Sequence, residues 1–205
     1  MNRLALLLGA ASMLVAAPGF ATSGDGVGAG NGVLLQQAAT LQPSDWVWRD
    51  DGGTGPLSIV ISLPDQRAYV YRGGTMIAVS SVSTGRDGKE TPVGVFPILE
   101  KEVKHRSTLY DSAPMPYMER LTWDGVAIHG GSTPGYRTSH GCIHVPLAFA
   151  KKLYGATEVG TVVEVTDASV VDADPAMLPP EPYVEDSPAA DANAQVLSSI
   201  GQDLE

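Results

Sequence analysis

Cys142 is the only cysteine of the chain and stands in the run SHGCIHVP, residues 139–146, between His140 and His144. A third histidine, His129, ends the run GVAIH at 125–129. These residue types allow three kinds of chemistry. A lone thiol can be an inert, buried hydrophobe. The Ser, His and Gly residues around Cys142 make a purely apolar burial site a poor fit. It can be a metal ligand. If residues 139–145 are extended, His140, Cys142 and His144 project to one face. With His129 they would offer three nitrogens and a sulfur, an acceptable zinc set. Ligands at successive i, i+2 positions rarely converge on one ion, and no second cysteine supports them, so no metal is expected. The third reading is a nucleophile. A free thiol with a pKa near 8.5 is mostly protonated at neutral pH, and the attacking species is the thiolate. A neighbouring imidazole can take the proton and hold the thiolate as an ion pair. The turn-rich stretch after His129, with Gly130, Gly131, Pro134 and Gly135, lets the chain return and bring Cys142 close to it. Gly141 lets the backbone approach closely, with amide N–H groups turned toward a developing oxyanion.

The elements that must position these residues are mostly strands. LSIVISL (57–63), RAYVYR (67–72) and TMIAVSSVST (75–84) are short, rich in Val, Ile, Tyr, Ser and Thr, and separated by PDQ and GG turns. VGVFPILEKEV (93–103), PYMERLT (116–122), GVAIHG (125–130) and TVVEVT (161–166) are further strand candidates. VPLAFAKKLYG (145–155) reads as a helix, with Pro146 in its first turn and Gly155 as a stop. Leu147, Ala150, Leu153 and Tyr154 would form its apolar side. Many short strands with one helix predict a mainly β core, a sandwich with mixed pairing.

Composition sets the flanks. Residues 1–21 begin with Arg3, continue as an apolar run from Leu4 to Ala17, and end in small residues before a cut after Ala21. That layout is expected to be a secretory signal peptide, with no membrane span in the mature chain and an exported protein in the periplasm or cell-wall space. No cysteine lies near the cut, so no lipid attachment is expected there. Residues 22–56, rich in Gly, Ser, Thr and Asp, are expected to be a flexible linker. Trp46 and Trp48 either clip it to the domain or stand exposed. Residues 168–205 carry eight acidic residues and no Lys or Arg, with recurring prolines, and are expected to be a disordered tail. The folded domain is then 57–167, where eleven acidic and eleven basic residues balance. The net charge of −10 therefore belongs mainly to the tail, and no basic stripe suits a nucleic-acid partner. Lys101, Lys104, His105 and Arg106 form a small basic cluster, read as a solvated face or as a surface toward an anionic polymer. Thr91, Pro92 and Gly94 most simply build a turn.

Two separated blocks carry a resemblance. STGRDGKETPVGVFPI (83–98) is similar to the S-T-G … T-P-x-G-x-F pattern of the bacterial L,D-transpeptidase catalytic domain. IHGG followed by SHGCIHVP is similar to that family's I-H-G … S-H-G-C motif. The resemblance implies a mainly β fold, a mixed β-sandwich of the L,D-transpeptidase type with one or two short helices. It implies a cysteine acyltransferase that needs no cofactor and works on peptidoglycan stem peptides. Cys142 would attack the third-residue carbonyl of a tetrapeptide stem, release D-alanine, and pass the acyl group from a thioester to an amine. His129 would be the base, held by the backbone carbonyl just after it. The N–H groups of Gly141 and Cys142 would form the oxyanion hole, while Ser139, His140 and Gly130 shape the site. Tyr117 matches an aromatic found beside the substrate cleft. Two residues after the cysteine the family usually has Arg or Asn, and this chain has His144. His144 is smaller than Arg and mostly neutral at pH 7, and is either a substrate contact or a polar residue at a strand edge. The alternatives are an L,D-carboxypeptidase, in which water takes the acyl group, and a non-catalytic wall-binding module.

Overall fold

The computed structural model describes residues 27–50 and 52–172. The stretch 1–21, expected to be a signal peptide, and most of the acidic tail lie outside them. The described residues form ten strands and two helices in two sheets. The larger sheet holds β1 (Trp46–Trp48), β2 (Leu57–Ser62), β3 (Arg67–Arg72), β4 (Thr75–Ser81), β5 (Gly94–Pro97) and β10 (Val162–Thr166), in the order β1-β4-β3-β2-β10-β5. Only β2 and β10 pair in parallel there. The smaller sheet runs β6 (Glu100–Arg106), β7 (Pro114–Arg120), β8 (Ala127–Gly130) and β9 (Ile143–Val145), with β8 and β9 parallel. The expected mixed β-sandwich is the observed architecture.

The apolar runs of β2 to β4 do not alternate with polar residues because both faces of the larger sheet are covered. Ile59, Ile61, Ala68, Val70 and Ile77 point into the main core, where Ile128, Ile143 and Val145 of the smaller sheet meet them. Tyr69, Tyr71, Met76 and Val79 point the other way. Over them lies α1 (Val27–Thr40), which buries Leu34 and Ala38. The 22–56 segment is thus not wholly a flexible linker. Gly30, Asn31 and Gly32 are poor helix formers, so α1 owes its stability to what it docks on rather than to propensity. Arg67 of β3 donates to the Ala38 and Leu41 carbonyls at the helix end, at 3.1 and 2.7 Å. Asn31 Oδ1 accepts the Met76 N–H at 2.7 Å. Trp46 and Trp48 do clip the segment down, tilted against Phe149 at 6.0 and 5.7 Å.

α2 (Leu147–Ala156) follows β9 directly and packs on β7 and β8. Its buried residues are Phe149, Ala150 and Leu153, while Leu147, expected on the apolar side, is exposed. The candidate strand 93–103 is two strands in different sheets. The chain crosses over at Ile98 and Leu99, whose N–H groups go to the Thr161 and Arg120 carbonyls at 2.9 and 2.8 Å. The domain also runs past Asp167. The Asp65 carboxylate accepts from Ser169 Oγ, Val170 N–H and Val171 N–H at 2.6, 2.7 and 3.2 Å, and Val170 is buried. Among the described residues no helix is long and apolar enough to cross a membrane.

One charged group is buried behind the small sheet. Glu119 of β7 is 1 % exposed, accepts the Thr157 hydroxyl, and lies 3.8 Å from Lys101 Nζ. Lys101 in turn donates to the Tyr154 and Thr157 carbonyls at the end of α2. Burial outweighs these partners and raises the Glu119 carboxyl to about 7. The folded state therefore holds a proton that the unfolded chain releases, and the stability this group contributes at acid pH is lost as pH rises toward 7. Glu119→Gln cannot titrate. Between pH 4.5 and 8 the stability difference should shift in favour of the variant by up to about 3 kcal/mol, read by urea unfolding. His129 and His144 titrate in both proteins and cancel in that difference.

Candidate active site

β8 and β9 pair with Ile128 against Ile143 and His129 against His144. Side chains alternate along a strand, so His129 and His144 share one face, and Cys142, two residues before His144, lies on the same side. The two imidazole rings stand 4.7 Å apart. On this face opens a cleft of about 260 Å³, and His129, Gly130, His140, Gly141, Cys142 and His144 all line it. Its other wall comes from β6, β7 and the loop between them, with His105, Tyr110, Met115 and Arg120.

His129 is 6 % exposed and its Nδ1 lies 3.0 Å from the Gly130 carbonyl oxygen. A carbonyl only accepts, so Nδ1 carries the proton and Nε2 is left as the basic nitrogen. Burial, with His144 adding to it, pulls His129 down to about 4, and the ring is neutral at pH 7. Cys142 is half-buried against Met115, Met118 and Ala127, and its thiol donates to the Gly125 carbonyl at 3.4 Å. Burial pushes the thiol above its ordinary value, and the Ala127 backbone and the Arg120 guanidinium only partly offset this. Burial therefore favours the neutral form of both groups. The resting ion pair expected from the sequence is replaced by a neutral thiol, donating to the Gly125 carbonyl, and a neutral imidazole that lines the same cleft.

Gly141 has φ +117, a conformation that residues with a Cβ rarely adopt, and it breaks the extended run imagined for 139–145. His140 consequently swings outward. It is exposed, its Nε2 lies 3.0 Å from Arg86 Nη2, and its ring lies 4.6 Å from that of Tyr110. Among the described residues no three His, Cys, Asp or Glu side chains converge as a metal set. Ser139 is buried and its hydroxyl bridges the turn, donating to the Cys142 carbonyl at 2.5 Å and accepting the Gly141 N–H at 3.1 Å. The Gly141 N–H is thereby taken and does not face the cleft as an oxyanion donor. Among the described residues nothing accepts from the Cys142 N–H.

Tyr117 does not line the cleft. It sits at φ +55 in β7, with its ring edge-on to Tyr154 of α2 at 5.9 Å. The aromatic at the cleft is Tyr110, from the β6–β7 loop. His144 lines the cleft, but its Nδ1 is buried without a partner among the described residues. Burial lowers its pKa, so it contributes no fixed charge. The basic cluster is split: Lys101 turns inward, Arg106 holds the Ser112 carbonyl, and His105 reaches the cleft paired with Glu102 at 2.5 Å. Sequence reasoning missed Arg120, which lines the cleft with its Nε 2.6 Å from Glu100. Its only sequence signal was strand alternation in 116–122, which does not say which face meets the site.

A family model, the L,D-transpeptidase catalytic domain, matches residues 56–165. The structure is similar to an L,D-transpeptidase from Mycobacterium smegmatis at 25 % identity and a TM-score of 0.51, covering 54 % of this chain and 58 % of that one. It is similar to one from Stackebrandtia nassauensis at 26 % identity and a TM-score of 0.51, covering 56 % and 57 %. A third, an L,D-transpeptidase in complex with imipenem, shares 28 % identity at a TM-score of 0.51, covering 54 % and 58 %. The chain thus spans less than two thirds of each of these neighbours. No match to a curated protein was found.

The neutral pair has a measurable signature. Alkylation of Cys142 by iodoacetamide should climb with pH to a midpoint above about 8.5, the ordinary thiol value. A plateau of reactivity between pH 5 and 7 would show a resting thiolate instead.

Proposed function

The chain belongs to the L,D-transpeptidase catalytic-domain family, and from that premise we propose that it is a cysteine acyltransferase acting on the tetrapeptide stems of peptidoglycan. The observation that carries this reading is the hydrogen bond from His129 Nδ1 to the Gly130 carbonyl, which leaves Nε2 as a base in the cleft that Cys142 also lines. Because His129 is held near 4, it is unprotonated and ready at neutral pH. The thiol gives its proton to Nε2 as Sγ attacks the third-residue carbonyl, so charge separates during the step rather than before it. The oxygen of the tetrahedral intermediate would accept the Cys142 N–H. As the intermediate collapses, the imidazolium gives its proton to the departing D-alanine amine. A strongly acidic imidazolium does this readily. The thioester then meets an amine, which loses its proton to Nε2 as Sγ leaves with the C–S pair, and the imidazolium returns that proton to Sγ.

The substrate argument rests on charge. Stem peptides carry carboxylates, and Arg120 is a cation fixed in the cleft wall, with His105 beside it. In this reading Arg120 supplies the charge that His144 lacks. The work is placed in the periplasm or cell-wall space on the strength of residues 1–21.

Incubation with defined tetrapeptide stems, read by mass, separates the possible outcomes. Dimers are expected. Tripeptides alone would make the protein a carboxypeptidase, and unchanged stems would make it a binding module. Cys142→Ala should abolish all products, because transfer and hydrolysis share the thioester, and Cys142→Ser should be nearly as damaging. His129→Ala should lower kcat by about 10²- to 10⁴-fold with the fold retained. His144→Ala should change KM more than kcat.

A further inference from the structure

The T-P-x-G segment, which the sequence reads as a turn, holds a hydroxyl that a turn does not require. Thr91 is 3 % exposed, and its Oγ1 accepts the Gly85 N–H at 2.9 Å while donating to the Gly141 carbonyl at 2.9 Å. The single hydroxyl proton is thus committed to one oxygen. The position of that hydroxyl is fixed by a tight loop. A Cβ on Gly85 would fall 2.0 Å from the Lys89 carbonyl oxygen and 2.6 Å from Thr91 N. The same loop is joined to the cysteine turn along the backbone. The Thr138 and Ser139 N–H groups both donate to the Thr84 carbonyl at 3.1 Å, and the Arg86 N–H to the Ser139 carbonyl at 3.1 Å. The two sequence blocks therefore form one seam, and Thr91 makes a side-chain contact across it.

Four backbone polar groups belong to Gly141 and Cys142, and three have partners. Ser139 Oγ takes the Gly141 N–H and the Cys142 carbonyl, and Thr91 takes the Gly141 carbonyl. The remaining group is the Cys142 N–H. In a planar trans peptide the C=O and the following N–H point in opposite directions. Holding the Gly141 carbonyl toward the buried Thr91 therefore turns the Cys142 N–H the other way, toward the open side. We propose that Thr91 is a positioning residue for acyl transfer: its hydroxyl locks the Gly141–Cys142 peptide so that the Cys142 N–H faces the oxygen of the acyl group under attack. This rests on the reading of Cys142 as the nucleophile. Thr91 itself does not line the cleft.

Two reactions of the same thiol test the idea. With p-nitrophenyl acetate, Sγ forms a bond to the carbonyl carbon and the carbonyl electron pair moves onto oxygen. The thiol proton goes to His129, and p-nitrophenolate leaves with the C–O pair. That path needs the N–H. With iodoacetamide, Sγ displaces iodide at a saturated carbon, and no oxyanion forms. The full chain is compared as wild type, Thr91→Val and Thr91→Ser. Thr91→Val is expected to slow p-nitrophenolate release by about 10- to 100-fold. Its alkylation rate and alkylation pH profile should stay within about twofold of wild type, as no oxyanion develops there. Thr91→Ser, which keeps the hydroxyl, is expected to recover acylation to within about threefold. If Thr91→Val does not fold, Thr91→Ala is read in the same way. The proposal is overturned by full-rate acylation in the hydroxyl-free variant, by equal losses in both reactions, or by a serine variant no better than valine. If the wild type takes an acetyl group from the ester but leaves tetrapeptide stems untouched, the substrate reading fails, while the Thr91 comparison still decides this one.

Discussion

Parallel pairing of β8 with β9 in one register brings the chemistry together. Ile128 and Ile143 lie side by side and fully buried, and this obliges His129 and His144 to turn to the opposite face, toward the cleft. A slip of one residue would exchange the faces, sending an imidazole into the core and an isoleucine into solvent. Val145 adds a second buried anchor, and α2 begins just after it, with Phe149 and Leu153 closing the core behind the pair. The register is thus enforced by apolar burial on one side of the sheet, while the reactive groups occupy the other. Tryptophans 46 and 48 press on Phe149 from the large sheet, so the first described strand also supports the site at a distance.

The same burial that fixes the geometry sets the electrostatics. A half-buried thiol among two methionines and an alanine is held protonated, and a buried imidazole beside another imidazole is held neutral. Arg120 pulls the thiol the other way, but at the end of a side chain already engaged by Glu100. The result is a thiol and an imidazole that are both neutral at rest. Two hydroxyls, of Ser139 and Thr91, brace the turn at Cys142 as neutral struts.

Much of this was legible in the sequence where the cause is local. Strands β2 to β4 announce themselves through Val, Ile and Tyr between clear turns, and the runs IHGG and SHGC mark the candidate site by residue type. What was not legible depends on the far side of the molecule or on a single backbone angle. Pro97 stands just before the crossing at Ile98 and Leu99, but the apolar run continues through it from Val95 to Leu99, so β5 and β6 read as one strand. α1 contains glycines and an asparagine in its first turns and becomes a helix only over the tyrosines of β3. His140, Gly141 and Tyr117 were assigned by their place in a motif. The positive φ at Gly141 and Tyr117 decides where they actually point. Arg120, Tyr110 and Met118 arrive from another strand pair, a juxtaposition that no spacing within the cysteine block could reveal.

The thiol that donates to the Gly125 carbonyl has a bearing on how long such a protein lasts. Oxidants act on the thiolate: peroxide converts it to a sulfenic acid, and disulfides exchange with it. Cys142 is kept protonated by burial, with no other cysteine in the chain to capture it. It is therefore a poor target for both reactions. A cysteine enzyme built on a resting ion pair would be damaged fastest where oxidants are most abundant. Here burial keeps the oxidisable thiolate scarce at rest, and that lengthens the life of the thiol.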